Sequence, residues 1–121
     1  MVQTGNHMKV NAPEAARARA REFYVSICGC TELPSPAPKM DLWQFPSGFV
    51  VGMLFDDAHA LSMADMKKAA WLELKTDDYE GMKARLLEFG VDVVASADTS
   101  RLYFQAPGGQ VYRLAPIDGG V

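Results

Sequence analysis

Residues 101–114 read RLYFQAPGGQVYRL and decide the fold, because they describe a strand, a Pro-Gly-Gly turn and a second strand. Aromatic and β-branched residues stand on both sides of the turn, and proline followed by glycine is a strong turn signal. We therefore predict a β-hairpin over residues 102–114.

The same pattern occurs a second time in the chain. Residues 41–53 read DLWQFPSGFVVGM and align without a gap to LYFQAPGGQVYRL. The alignment places Trp43 with Phe104 and Gly52 with Arg113. A repeat at this spacing predicts two copies of one supersecondary unit.

Length and charge narrow the range of functions. The chain has 121 residues, 49% of them hydrophobic, which is enough for one compact domain with a real core. The net charge of -3 argues against a nucleic-acid or anionic-membrane partner, since both require a clustered positive field. The only basic run is Arg17, Arg19 and Arg21, and alternate positions on a helix do not share a face. No apolar segment approaches the roughly 18 residues that span a bilayer, so a cytoplasmic protein is expected.

Periodicity assigns the same βαβββ order to both halves of the chain. The first unit (about 1–56) is predicted as a strand over residues 2–10, a helix with Asn11 as its N-cap that ends at Gly29, a short strand near 31–33, and a hairpin of strands 40–45 and 49–55. A linker over about 57–69 leads to the second unit (about 70–117). That unit is predicted as a strand over 71–76, a helix over 78–89 with Asp77 and Glu80 as a capping box, a strand over 91–95 and the hairpin over 102–114.

These residues carry a family resemblance. The two βαβββ units, the passage WLELKTDDYEGMKARLLEFGV and the terminal FQAPGGQVYRL together resemble the glyoxalase / bleomycin-resistance / dioxygenase superfamily, also called vicinal oxygen chelate proteins. The resemblance covers nearly the whole chain. It implies an α+β fold in which the two units form a curved, half-barrel-like mixed sheet with helices on its outer face. It also implies a homodimer.

Departures from the family pattern bear on metal binding. In metal-dependent members the strand that opens the second unit begins with a metal-binding His, and the last strand supplies a metal-binding Glu. This chain has Trp71 and Arg113 at those positions, and Gly52 is the repeat equivalent of Arg113. A divalent ion needs several converging His, carboxylate or thiolate groups. We therefore expect no metal and no cofactor.

The remaining candidates for chemistry have ordinary structural interpretations. His7 lies near the position where the family's first strand often carries a metal His, and it is the one weak metal candidate. The other interpretation of His7 is an ordinary strand-end residue. His59 is predicted to be a loop residue, the pairs 56–57 and 77–78 are predicted to have turn and capping roles, and Cys28 and Cys30 are predicted to be free structural thiols.

Alternation along the strands predicts a ligand-binding face in the second unit. Trp71 and Glu73 share one face, and the family's geometry brings Arg113 opposite them. Arg113 would anchor an anionic or carbonyl group of a small organic molecule, with Trp71, Trp43 and Phe104 as flat apolar contacts. Two alternatives stay open: Glu73 and Arg113 form a structural salt bridge, and Trp43 and Phe104 are plain core residues.

Three functions remain open for the chain. The favoured one is a metal-free, dimeric small-molecule-binding protein that resembles the bleomycin-resistance branch. The second is a glyoxalase- or dioxygenase-like metalloenzyme with a nonstandard ligand set such as His7 with Glu73. The third is a dimeric structural or interaction module whose cleft is filled by side chains.

Overall fold

The computed structural model describes residues 1–120 and divides the chain into two compact units, Met1–Leu61 and Ser62–Val121. The division falls inside the predicted linker, and the second half of that linker belongs to the second unit. No helix in the described part of the chain is long and apolar enough to cross a membrane.

Unit 1 contains one sheet and one mixed helical segment. Its elements in chain order are β1 (His7–Ala12), a 3₁₀ turn (Glu14–Ala16), α1 (Arg17–Arg21), a π-helical segment (Glu22–Ile27), β2 (Thr31–Leu33), β3 (Met40–Gln44) and β4 (Val50–Phe55). The four strands lie in the order β1-β4-β3-β2, with β1 parallel to β4 and the other pairs antiparallel.

Unit 2 repeats this order. Its elements are α2 (Met63–Met66), β5 (Trp71–Thr76), α3 (Tyr79–Phe89), β6 (Asp92–Val93), β7 (Tyr103–Gln105) and β8 (Val111–Pro116). The sheet order is β5-β8-β7-β6, with β5 parallel to β8 and the other pairs antiparallel. The prediction of an α+β fold built from two βαβββ units is therefore confirmed.

The two hairpins share more than their strands. The Gln44 side chain donates through Nε2 to the carbonyl of Gly48 at 3.2 Å, and Gln105 donates through Nε2 to the carbonyl of Gly109 at 3.0 Å. Both glycines have positive φ, 98° at Gly48 and 115° at Gly109, which a residue with a side chain rarely adopts. The repeat that the sequence shows is thus also a repeat of turn conformation.

The core of unit 1 lies between the helical segment and one face of the sheet. The rings of Tyr24 and Trp43 stack at 4.8 Å between centroids, and Phe23 meets Tyr24 edge to face at 4.8 Å. Phe23 and Tyr24 are consecutive yet fully buried, and the wide turn of the π-helical segment accommodates both. In unit 2 the corresponding core contains Leu86 from α3 against the sheet.

A buried carboxylate joins three parts of unit 1. Asp41 on β3 is only 3% exposed, and Arg17 donates to it from Nε and Nη2, both at 2.9 Å. Arg17 also donates to the Pro38 carbonyl at 3.0 Å, and Nη2 of Arg21 lies 3.8 Å from Asp41. Arg17 and Arg21 are one helical turn apart, so the expectation that the basic run shares no face was wrong for this pair.

Several predicted boundaries were wrong, for local reasons. The first strand begins at His7 because its partner β4 begins only at Val50, opposite His7. It continues through Asn11, which therefore pairs in the sheet and does not cap the helix. In unit 2 the predicted strand over 91–95 is reduced to Asp92–Val93, where β7 offers a partner.

The cap of α3 also differs by one residue from the prediction. The N-cap is Asp78, whose carboxylate accepts from the Gly81 amide at 3.0 Å, and not Asp77. The predicted ends of both helical segments are confirmed, since Gly29 (φ 76°) and Gly90 (φ 94°) adopt the left-handed conformation there.

Candidate functional site

Strand register places the predicted site residues of unit 2 together. Trp71 is paired with Val111, and Glu73 is paired with Arg113, which on its other side pairs with Tyr103. These side chains lie on the face of the sheet that α3 does not cover, and we call it the Trp71 face. The prediction that Trp71, Glu73 and Arg113 share a face agrees with this register.

Arg113 is the centre of a charged network on this face. Its Nη1 donates to Glu73 at 2.6 Å, and its Nε donates to Asp98 at 3.2 Å and to the Tyr103 hydroxyl at 3.0 Å. The Tyr103 hydroxyl in turn donates to Asp98 at 2.9 Å. The Arg113 side chain is 21% exposed, so most of the guanidinium is taken out of water. A planar cation held on two sides by carboxylates has a fixed orientation.

Asp98 is held in its charged form by its neighbours. Hydrogen bonds from the Ser100 hydroxyl, the Ser100 amide, Tyr103 and Arg113 together lower the pKa of Asp98 well below its usual range. This carboxylate ties the loop between β6 and β7 to the Trp71 face. With Glu73, it gives the network two negative charges, which face the positive charge of Arg113 and that of Lys75, whose Nζ lies 3.9 Å from Glu73.

Trp71 lies at the edge of this network with much of its ring in solvent. The side chain is 42% exposed, its indole N–H donates to the Lys67 carbonyl at 2.9 Å, and its ring centroid lies 5.4 Å from that of Tyr103. One end of the ring is thus fixed while a flat surface remains available.

The other two predicted aromatic contacts lie elsewhere. Trp43 and Phe104 have no exposed surface, and they pack against Tyr24 and Tyr112 respectively on the helix-covered faces of their own sheets. The structure places both in the core, which is the second of the two interpretations that the sequence left open.

The candidate metal positions do not form a ligand set within either unit. His7 occupies in unit 1 the register position that Trp71 occupies in unit 2, because His7 pairs with Val50 as Trp71 pairs with Val111. His7 is exposed on its strand. Within residues 1–120 no three His, Cys, Asp or Glu side chains converge as a metal site would require.

The remaining polar candidates have the structural roles predicted for them. His59 contacts Asp56 at 3.1 Å, and Asp57 accepts from the Glu14 amide at 2.9 Å. Hydrogen bonds from the Ala58 amide and from His59 lower the pKa of Asp56. Neither cysteine forms a disulfide, and burial raises the pKa of the Cys30 thiol to about 12, which keeps it protonated and unreactive.

Two residues of the network escaped the sequence analysis. Tyr103 could have been found, since the hairpin places it beside Arg113 and alternation places it on the same face. Asp98 could not, because it lies in an irregular loop where no periodicity indicates which way a side chain points.

Solved structures that share this fold include those of the following three proteins. The chain matches a glyoxalase family protein from Bacillus anthracis with a TM-score of 0.72 and 19% identity, covering 96% of each chain. It matches TnmS3, an antibiotic binding protein from Streptomyces sp. CB03234, with a TM-score of 0.67 and 21% identity, covering 95% of this chain and 96% of that one. It matches FosX, a fosfomycin resistance protein from Listeria monocytogenes, with a TM-score of 0.74 and 12% identity, covering 100% and 97%.

The chain therefore has the fold of the vicinal oxygen chelate superfamily, as the sequence resemblance implied. No protein-family model matches the chain, and no curated protein matches it by sequence. At these identities the likeness establishes the fold, and the function has to be argued from the residues.

Proposed function

We propose that this protein is a metal-free, homodimeric binding protein for a small planar organic molecule, which it holds in a cleft that includes the Trp71 face. The observation that carries the proposal is the exposure of Trp71 at 42% on a regular strand, beside a network of fixed charges. The ring is held in place by the Lys67 carbonyl and by Tyr103, and it keeps a flat apolar surface in solvent on which a planar molecule can stack.

The pairing of the charges on this face disfavours an anionic ligand and leaves a neutral or cationic one. Nε and Nη1 of Arg113 already donate to carboxylates and to Tyr103, so Arg113 is better suited to orient Glu73 and Asp98 than to bind an anion itself. A cation over an aromatic face is attracted by the ring electrons. The anionic or carbonyl ligand expected from the sequence is therefore replaced in this proposal.

The residues at the family's metal positions support the metal-free part of the proposal. Gly52 and Trp71 offer no ligand atom, and the Arg113 guanidinium has no free lone pair that could coordinate a metal. Of the solved structures with this fold, TnmS3 is named as an antibiotic binding protein, and a binding role of that kind needs no reactive group.

Native mass spectrometry of the gently purified protein tests the proposal as a whole. We expect a dimer without stoichiometric metal, in some preparations carrying a retained small molecule. Stoichiometric zinc, nickel, iron or manganese that is lost on His7→Ala would favour the metalloenzyme alternative.

Calorimetric titration tests whether the Trp71 face binds a ligand. The probe is 9-aminoacridine, a planar cation that carries N–H donors. Trp71→Ala should weaken binding by about fivefold or more, because stacking on one ring contributes on the order of 1 kcal/mol. Trp43→Phe, a change in the core of unit 1, is the matched control and should leave the affinity unchanged. Binding that Trp71→Ala does not affect would contradict the proposed site.

The structural-module alternative is favoured by one observation, the closed ion-pair network around Arg113. If that network only fills the face, Trp71→Ala should leave dimerisation intact and no planar compound should bind. The same two experiments therefore separate the alternatives.

A further inference from the structure

A short segment of unit 2 covers one end of the Trp71 face. Residues 62–70, which include α2, lie over the turn of the second hairpin, and we call them the α2 cover. Met66 lies directly on Gly109, where an added Cβ would be only 2.9 Å from Met66 Cγ. Gln110 donates through Nε2 to the Ala70 carbonyl at 2.9 Å, and Lys67 pairs with Asp92 at 2.7 Å.

Gln105 lies beneath this cover with one polar atom unsatisfied. Its Nε2 donates to the carbonyls of Met63 at 2.7 Å and Gly109 at 3.0 Å. The end of the amide that faces two carbonyl oxygens must be the NH₂ group, so the assignment of the other end as oxygen is secure. That Oε1 atom is buried without a hydrogen-bond partner, in a residue that is 2% exposed.

The register shows that this acceptor belongs to the Trp71 face. Gln105 pairs with Val111, which pairs with Trp71 on its other side. Alternation therefore puts Gln105 on the side of the sheet that carries Trp71 and Arg113. Gln105 and the exposed indole ring therefore lie on the same face, separated by the one intervening strand β8.

The repeat provides an internal comparison. Gln44 forms the corresponding hydrogen bond to its own turn in unit 1, yet it is only half-buried and its oxygen is not among the buried unsatisfied atoms. The unsatisfied acceptor is thus a consequence of the α2 cover and not of the hairpin that both units share.

Displacement of α2 should require little free energy. α2 has four residues, Met63–Met66, and none of them is buried. A helix of one turn has no stability of its own and depends on the contacts beneath it. Methionine side chains such as Met66 can repack against a different surface.

We propose that Gln105 Oε1 is a ligand-binding acceptor, so that the bound molecule carries an N–H or O–H donor and displaces α2 (Met63–Met66) when it enters, while Lys67 stays in place and holds the Trp71 indole N–H. This inference rests on the proposed function and adds a specificity-determining residue to it. A buried acceptor without a partner is unfavourable in the free protein, and a donor on the ligand removes that penalty.

A pair of probes tests the donor requirement by calorimetry. 9-Aminoacridine has N–H donors, whereas 9-(dimethylamino)acridine is a similar planar cation without them on its exocyclic nitrogen. Wild type should prefer the first by about tenfold, the value of one net hydrogen bond. Gln105→Met, which keeps the length of the side chain but removes its acceptor, should abolish the preference, and Gln44→Met should retain it.

The outcomes distinguish the two proposals. Equal affinity of wild type for both probes, with both weakened by Trp71→Ala, would overturn the inference and leave the proposed function standing. A preference that survives Gln105→Met would also overturn it, because the extra methyl groups alone would then explain the preference. If neither probe binds, the proposed function is contradicted for planar cations.

Hydrogen exchange of the free wild-type protein tests displacement without any ligand or variant. The amides of Met66 and Lys67, which donate to Ser62 and Met63, should exchange at least 100-fold faster than the interior amides of α3. Equal protection in the two helices would show that the cover does not open, and the inference would fail.

Discussion

At the scale of single residues, charge pairs in this protein differ greatly in value because their burial differs. Asp41 is 3% exposed and held by a two-pronged contact from Arg17. Arg19 meets Glu22 at 3.1 Å where both side chains are about half exposed, at 48% and 54%. The residue types are similar, so burial decides which pair stabilises the fold.

Arg17→Ala should therefore destabilise the protein by about 3 kcal/mol, because it leaves the buried Asp41 carboxylate without its main partner. Urea unfolding measures the change in free energy. Arg19→Ala is the matched control, because it removes the same type of residue from the same helix. It should lower the free energy of unfolding by less than about 1 kcal/mol. A loss of the same size in both variants would mean that helix propensity, and not the buried pair, explains the result.

The network around Arg113 gives a pH dependence that can be assigned to one group. Because the folded pKa of Asp98 lies below its unfolded value of about 3.9, its contribution to stability is fully present above that value. The contribution is lost as the pH falls through the folded pKa.

Asp98→Asn should thus lower the urea midpoint at pH 7, and the difference from wild type should shrink steadily below about pH 4. Asp56→Asn is a useful comparison, since the pKa of Asp56 is also lowered but by turn contacts in unit 1. A difference that stays constant down to pH 2 would show that Asp98 acts through shape and not through charge.

At the scale of elements, the hairpins were predicted closely and the loops were not. Pro-Gly signals and alternation fix where a strand must stop, and the predicted turn at 46–48 lies between β3 and β4 as observed. The start of β1 could not be predicted, because it depends on where a strand far along the chain begins. Asp98 could not be predicted for a related reason, since its role depends on tertiary contacts of an irregular loop.

The N-cap of α3 was also only partly predictable from the sequence. Asp77 and Asp78 both fit the sequence signature of an N-cap, and only the geometry selects Asp78, which accepts from Gly81. Asp78→Ala should cost about 1 kcal/mol in the free energy of unfolding, whereas Asp77→Ala should change it by less than about 0.5 kcal/mol. The reverse order would support the original capping-box assignment.

At the scale of the whole molecule, each unit taken by itself has a sheet with two edge strands and one face that its own helix does not cover. β1 and β2 form the edges of the first sheet, and β5 and β6 those of the second. On the face of unit 1 that lacks a helix, the half-buried apolar side chains are those of Leu33, Met40, Leu42, Val50 and Leu54. Exposed edges and apolar faces of this kind are normally covered by a partner.

We therefore expect a homodimer, with a mass about twice the 13.2 kDa of one chain. Sedimentation at micromolar concentration measures it directly. Detection of only the 13.2 kDa species would contradict the expectation and would also remove the dimer from the proposed function.

Gly52 and Arg113 occupy the same register position in the two units, and they give that position opposite character. A Cβ at Gly52 would lie 3.0 Å from Leu42 Cδ2, so unit 1 has a bare backbone beneath a hydrocarbon side chain there. Unit 2 has a charged guanidinium. Since the glutamine-braced turn is the same in both units, one backbone frame presents an apolar surface in one unit and an ionic surface in the other, and a substitution at this position need not disturb the turn.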